Sequence, residues 1–190
     1  MNEPPDALEI RNLDRAVTIE QYAALPRLPI TVILDSLRSS FNVGAVFRTC
    51  ECARVEKLIT TGITCHPPDD KVVRTAMGTA EFVPHEHYAD AQEAILAVKK
   101  LGLPVYALET TSHSESIYSI SFPRPVCLVF GNEALGLDRG ILSLADRIVE
   151  IPLLGYKNSL NVSVAAGITL FEVLRQWGEI SETMPIGAPM

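Results

Sequence analysis

Three stretches of the sequence leave an apolar run for a turn rich in glycine and polar side chains, and each offers groups able to hold a small polar ligand or an anion. The first is Asp35-Ser-Leu-Arg-Ser-Ser-Phe-Asn-Val-Gly-Ala-Val-Phe-Arg48. Asn42 reads there as the N-cap of a helix, whose free backbone N–H groups are ready to meet an anion. At about 100° per residue, Val43, Val46, Phe47, Cys50 and Ala53 gather on one side of that helix, and Arg48 points to nearly the opposite side. Arg48 is then either a solvated surface charge or a phosphate ligand. The second stretch is Val129-Phe-Gly-Asn-Glu-Ala-Leu-Gly136. Gly131 allows a ligand or another backbone to come close, and Glu133 places a carboxylate at a strand end. That carboxylate could accept hydrogen bonds from a ligand, orient Asn42 or Arg48, or cap the following helix. The third is Ile151-Pro-Leu-Leu-Gly-Tyr-Lys-Asn-Ser-Leu-Asn-Val-Ser-Val-Ala-Ala166, a loop in which Asn158 or Ser159 starts the last helix.

The elements that must position these groups alternate in type. Residues 30–35, 57–61, 104–109, 126–131 and 147–151 read as buried strands, and residues 42–53, 89–101, 138–144 and 160–177 as helices. The alternation predicts an α/β fold, a mostly parallel sheet with helices on both faces, binding its ligand beyond the carboxyl ends of the strands. In the last helix Val162, Ala165, Ala166, Thr169, Leu170, Val173, Leu174 and Trp177 form one apolar stripe that should lie on the sheet. Val164, Ile168 and Phe171 form a second row; a helix apolar on two sides is either deeply buried or packed against a partner chain, and a homodimer through this helix is expected.

With 190 residues and 47% hydrophobic side chains, the chain suits one core: a domain over 28–177, preceded by a leader, 1–27, and followed by a flexible tail, 178–190. No apolar run approaches the ~18 residues of a membrane span, and the first residues, MNEPPDAL, lack the basic start of a signal peptide; a cytoplasmic protein is expected. The net charge of -7 argues against a broad basic field for nucleic acid, but the acid is concentrated at the two ends, leaving the body near balance. Cys50 and Cys52 do not face each other on a helix, and His85 and His87, on one strand face, lack a second ligand pair, so neither a disulfide nor a metal is expected.

Taken together the three stretches resemble the motifs of the SPOUT superfamily, in its TrmH/SpoU branch of RNA ribose 2'-O-methyltransferases. N-x-G-A-x-x-R is met by Asn42, Gly44, Ala45 and Arg48; F-G-x-E-x-x-G by Phe130, Gly131, Glu133 and Gly136; and I-P-x-x-G-x-x-x-S-L-N-V-S-x-A by residues 151–165. Their order and spacing also match, over roughly residues 30–177. The resemblance implies a trefoil-knotted α/β fold in which the chain after Ile151 threads an earlier loop. It further implies S-adenosylmethionine held around Leu108, Gly131, Ile151, Ser159 and Leu160, and a homodimer acting on tRNA or rRNA. The family's proposed general base falls on Arg48. Because a guanidinium stays protonated, the chemistry favours Arg48 as a phosphate ligand that stabilises developing alkoxide, with Asn42, Glu133, Ser159 and Asn161 fixing the geometry. Arg38, Arg54, Lys57, Lys71 and Arg74 cluster in sequence as a candidate phosphate-binding strip. The rival readings are a non-catalytic RNA- or cofactor-binding module with the same fold, and an unrelated nucleotide-binding α/β protein.

Overall fold

The computed structural model describes Glu20, Tyr22 and residues 24–180; the remainder of the expected leader and tail lies outside the described residues. The elements follow as β1 (Leu28–Asp35), α1 (Ser40–Cys52), β2 (Val55–Thr61), α2 (Asp70–Ala76), β3 (His85–Tyr88), α3 (Ala91–Lys100), β4 (Val105–Leu108), β5 (Glu115–Ser116), β6 (Val126–Phe130), α4 (Arg139–Leu144), β7 (Arg147–Glu150) and α5 (Val162–Gln176). The strands form one seven-stranded parallel sheet in the order β3-β2-β1-β6-β4-β7-β5.

The central strands are apolar on both sides because both faces are covered. In β1, Ile30, Val32, Ile33 and Leu34 are all fully buried. One face packs Val32 and Leu34 with Val43, Val46 and Phe47 of α1 and Ala166, Leu170 and Val173 of α5. The other packs Ile33, Ile59 and Val129 with Ala94 and Ile95 of α3 and Ile141 of α4. Gly44 serves this packing: a Cβ there would sit 2.6 Å from the Thr75 carbonyl carbon of α2, so α1 and α2 touch only because the side chain is missing.

Of the stripe predicted for the last helix, Val162, Ala166, Thr169, Leu170, Val173 and Leu174 are buried against α1 and the sheet, while Ala165 and Trp177 are half-buried. In the second row Ile168 packs against that core, while Val164 and Phe171 stay 49% and 42% exposed. The end of α5 is tied to the segment after β5: Gln176 Nε2 donates to the Ile120 carbonyl (3.1 Å) and Trp177 Nε1 to the Phe122 carbonyl (3.1 Å). The Arg124 guanidinium lies 4.9 Å above the Trp177 ring and pairs with Glu179.

Two helix caps differ from the sequence reading, and a third settles an open alternative. Ser39, not Asn42, caps α1, its hydroxyl accepting from Asn42 N at 3.3 Å. Two good capping residues lie three apart, and the earlier one adds a helical turn that buries Val43. Asn161, not Asn158 or Ser159, caps α5 through Ser163 N (2.9 Å). Asp138 caps α4, so Glu133 does not cap the helix that follows it.

Candidate active site

β1, β6, β4 and β7 are adjacent, and register pairs Leu34 with Phe130, Phe130 with Leu108, and Leu108 with Val149. Their carboxyl ends are therefore level, and the loops leaving them meet. Beyond β4, β6 and β7 these loops enclose a cavity of about 410 Å³, within the usual range for a small-molecule site. Leu108, Gly131, Ile151, Ser159 and Leu160 all line it, as does Glu133; Asn42, Arg48 and Asn161 do not. Its walls combine apolar side chains such as Phe130 and Val162 with the carboxylates of Glu109, Glu133 and Glu150. That mixture suits a ligand with an apolar part and a positive charge.

Gly131 and Gly136 shape the turn on one side of the cavity. A Cβ on Gly131 would lie 2.6 Å from the Gly136 carbonyl carbon, and Gly136 has a φ of +66° and closes against the Glu109 carboxylate. Glu109 in turn accepts from Leu137 N at 2.8 Å and Thr110 N at 3.0 Å, which fastens the turn to the end of β4.

Glu133, in the turn after β6, bonds to the loop between β1 and α1 rather than to α4. It accepts from Arg38 N at 2.9 Å, Ser39 N at 3.2 Å and Asn42 Nδ2 at 2.8 Å. Partial burial pushes its carboxyl up, but the donors of Arg38, Asn42 and Ser39 outweigh this and hold it below the ordinary glutamate value. Asn42 Oδ1 accepts from Asn161 Nδ2 at 3.0 Å. One residue from each of the three sequence stretches thus stands in a single hydrogen-bonded chain, Glu133–Asn42–Asn161.

The Arg48 side chain is exposed and forms no hydrogen bond or ion pair among the described residues. The expected basic strip is divided. Arg54 and Lys57 sit at the amino end of β2, where Lys57 pairs with Glu86 at 2.6 Å, whereas Arg38, Lys71 and Arg74 follow the carboxyl ends of β1 and β2. A strand separates the two groups, which closeness in sequence hides. His85 packs edge-on to Phe47, and His87 stacks on His66 with ring centroids 3.9 Å apart.

Two site residues carry no signal in the motif spacing. Glu109 follows β4 with no local pattern around it. Asn132 is 8% exposed, and its side chain accepts from Ala134 N (2.8 Å) and Leu135 N (3.0 Å). An asparagine directly after a strand-ending glycine is a sign of such a turn.

Residues 29–171 match the sequence profile of the SpoU rRNA Methylase family. The chain belongs to that family. It is 32% identical over 158 residues to the tRNA (guanosine(18)-2'-O)-methyltransferase of Thermus thermophilus, covering 83% of this chain and 80% of that protein. It is likewise 32% identical over 149 residues to the 23S rRNA (guanosine-2'-O-)-methyltransferase RlmB of Ralstonia nicotianae, covering 78% of this chain and 59% of that one. A solved AdoMet-bound rRNA methyltransferase from Sinorhizobium meliloti superposes with a TM-score of 0.73 at 30% identity, over 81% of this chain and 59% of that one. The chain thus spans most of the Thermus protein but under two thirds of the other two. Within this SpoU member the second and third stretches line the cavity together with residues 108–110 and 149–150, and all three stretches contribute to the Glu133–Asn42–Asn161 chain.

Proposed function

We propose that this SpoU-family chain transfers a methyl group from S-adenosylmethionine to a ribose 2'-hydroxyl of tRNA or rRNA. One observation carries the reading: the small-molecule cavity is walled by the second and third motifs, and hydrogen bonds through Glu133 and Asn42 attach it to the helix that bears Arg48. The relatives named as tRNA and 23S rRNA 2'-O-methyltransferases support the substrate class.

The cavity fits the donor by size, by apolar walls for the adenine, and by three rim carboxylates that complement a sulfonium. Leu108, Gly131, Ile151, Ser159 and Leu160 would hold it, and when bound it supplies an electrophilic methyl group. The chain's own task is to prepare the oxygen, because a ribose hydroxyl is a poor nucleophile. Arg48, always charged, binds the phosphate beside the target ribose and stabilises the developing alkoxide. Glu133 is unsuited to take the proton: its oxygens are engaged by three donors and its carboxyl is held below the usual range. It brackets the α1 entry instead. Asn42 and Asn161 fix that helix against the donor loop, with Ser159 on the cavity wall. Arg38 and Lys71, both without a hydrogen bond or ion pair from their side chains among the described residues, supply further phosphate contacts.

The same reading includes a homodimer formed through the exposed row of α5, a cytoplasmic location and the trefoil knot. Among the described residues no helix is long and apolar enough to cross a membrane. The test is transfer of radiolabelled methyl from S-adenosylmethionine to total RNA, followed by mapping of 2'-O-methyl sites. Wild type should label RNA and Arg48→Ala should not; a wild type that binds the donor without labelling RNA would leave only the binding-module reading.

A further inference from the structure

We propose that Asn132 is a positioning residue, whose side-chain amide locks the cavity turn at 133–136 to the loop at 36–39 and so sets the Glu133–Asn42–Asn161 chain relative to the donor cavity. This rests on the methyltransferase reading above. A side chain that only closes its own turn needs its oxygen alone, and Asn132 Oδ1 already does that by accepting from Ala134 N and Leu135 N. Its nitrogen does something different. Nδ2 donates across to the Ser36 carbonyl at 2.6 Å, joining residues 96 positions apart in the chain.

Ser36 is a fixed post for that bond. Its backbone is left-handed, with a φ of 54°, a conformation that a non-glycine residue holds only when its surroundings impose it. On its other side Ser36 N donates to the Thr61 carbonyl at 3.1 Å, and its hydroxyl donates to Asp35 Oδ1, which also accepts from Thr61 Oγ1. Asn132 is thus anchored to the ends of β1 and β2 together. Its neighbour Glu133 then takes the amides of Arg38 and Ser39, two and three residues beyond Ser36. Two adjacent side chains grip one loop at successive points, and Asn42 begins where that grip ends. Without the Asn132 bond, Glu133 and the loop could shift together while each kept its own hydrogen bonds. The cavity wall and the arginine-bearing helix would then lose their common reference, and a misplacement of about 1 Å can cost a reaction 10²-fold.

Asn132→Asp separates the two functions. The introduced carboxylate still accepts from Ala134 N and Leu135 N but cannot donate to the Ser36 carbonyl. Burial and that carbonyl raise its pKa, so on acidification it gains a proton and with it the missing donor. The experiment measures kcat on RNA, calorimetric binding of S-adenosylmethionine, and hydrogen exchange of the 36–42 segment, for wild type, Asn132→Ala and Asn132→Asp. Expected for Asn132→Asp near neutral pH is a kcat lowered about tenfold to 10²-fold with donor binding retained, and faster exchange at Arg38 and Ser39. The ratio of variant to wild-type kcat should rise from about pH 8 toward about pH 6. Asp35, Glu109 and Glu133, the carboxylates on the same loops, repel the introduced carboxylate and add to the upward shift of its pKa. Asn132→Ala, which loses both functions, should also weaken donor binding. A wild-type kcat in Asn132→Asp, or a lowered kcat with unchanged exchange at Arg38 and Ser39, overturns the proposal. If wild type labels no RNA, the methyltransferase reading falls, and exchange at 36–42 still decides whether Asn132 holds the loop: unchanged rates in Asn132→Asp would reject it.

Discussion

Asn161 Nδ2 donates to Asn42 Oδ1 across 3.0 Å, joining the cap of α5 to the first turn of α1 over 119 positions of sequence. Asn42 has both ends of its amide occupied, since its Nδ2 donates to Glu133. Each residue holds the next, so their effects on catalysis should not be independent. Asn42→Ala should lower kcat more than Asn161→Ala, because it breaks two bonds of the chain. The double variant should fall close to Asn42→Ala alone. Steady-state kinetics of the four proteins measures this, and losses that simply multiply would show that the two asparagines act separately.

Glu133 predicts a pH-dependent stability. Its folded carboxyl lies below the ordinary value, so its stabilising contribution is present above the unfolded glutamate pKa of about 4.3 and is lost as pH falls through the folded value. Glu133→Gln cannot accept from all three donors. After discounting for solvent exposure, the loss should be about 1 kcal/mol at neutral pH, or roughly 2–4 °C in Tm for a chain of this size. Thermal melts across the acid range should show the gap between wild type and variant constant near neutrality and closing below about pH 4. A gap that persists unchanged into acid would mean that the carboxylate charge is not what holds the loop.

How far these contacts could be read from sequence depends on their range. The buried strands and the α5 stripe were legible because a two-sided sheet and a packed helix impose periodicity on Ile30–Leu34 and on Val162 through Leu174. The motif residues were legible as types, since Glu133, Asn42 and Ser159 are polar groups at strand ends. Their pairing was not: whether Glu133 caps the helix that follows or grips the loop at Arg38 depends on the neighbouring β1–α1 loop, since Glu133 and Asn42 are 91 positions apart. Local competition hid the start of α1, where Ser39 and Asn42 offer the same capping chemistry. Elements as short as β5, two residues, and α2, seven, lie below the length at which a period is visible.

The apolar row of α5 leads to a test of assembly. Val164 and Phe171 are exposed on a helix whose opposite face is fully buried, a combination that fits a second copy of the chain better than water. Light scattering should give twice the monomer mass for wild type, and Phe171→Glu should shift it toward monomer while leaving the secondary structure intact. Phe171 is 42% exposed, so the substitution costs little in the isolated fold. A variant that stays dimeric would place the interface elsewhere.

Arg48 separates catalysis from stability most cleanly. It is exposed and touches no hydrogen-bonding partner among the described residues, so replacing it should leave folding free energy within about 0.5 kcal/mol of wild type. If Arg48 stabilises the alkoxide as proposed, the same replacement should cost about 10² to 10³ in kcat, the usual loss for one such donor. Arg48→Lys distinguishes what the charge does. A lysine keeps the positive point charge but loses the planar fork that grips a phosphate at two points. If Arg48 works as a fork, Arg48→Lys should resemble Arg48→Ala in kcat, with the Kd for S-adenosylmethionine unchanged because Arg48 does not line the cavity. If Arg48→Lys keeps most of the turnover, a bare charge is sufficient and the two-point phosphate grip is not the source of the rate.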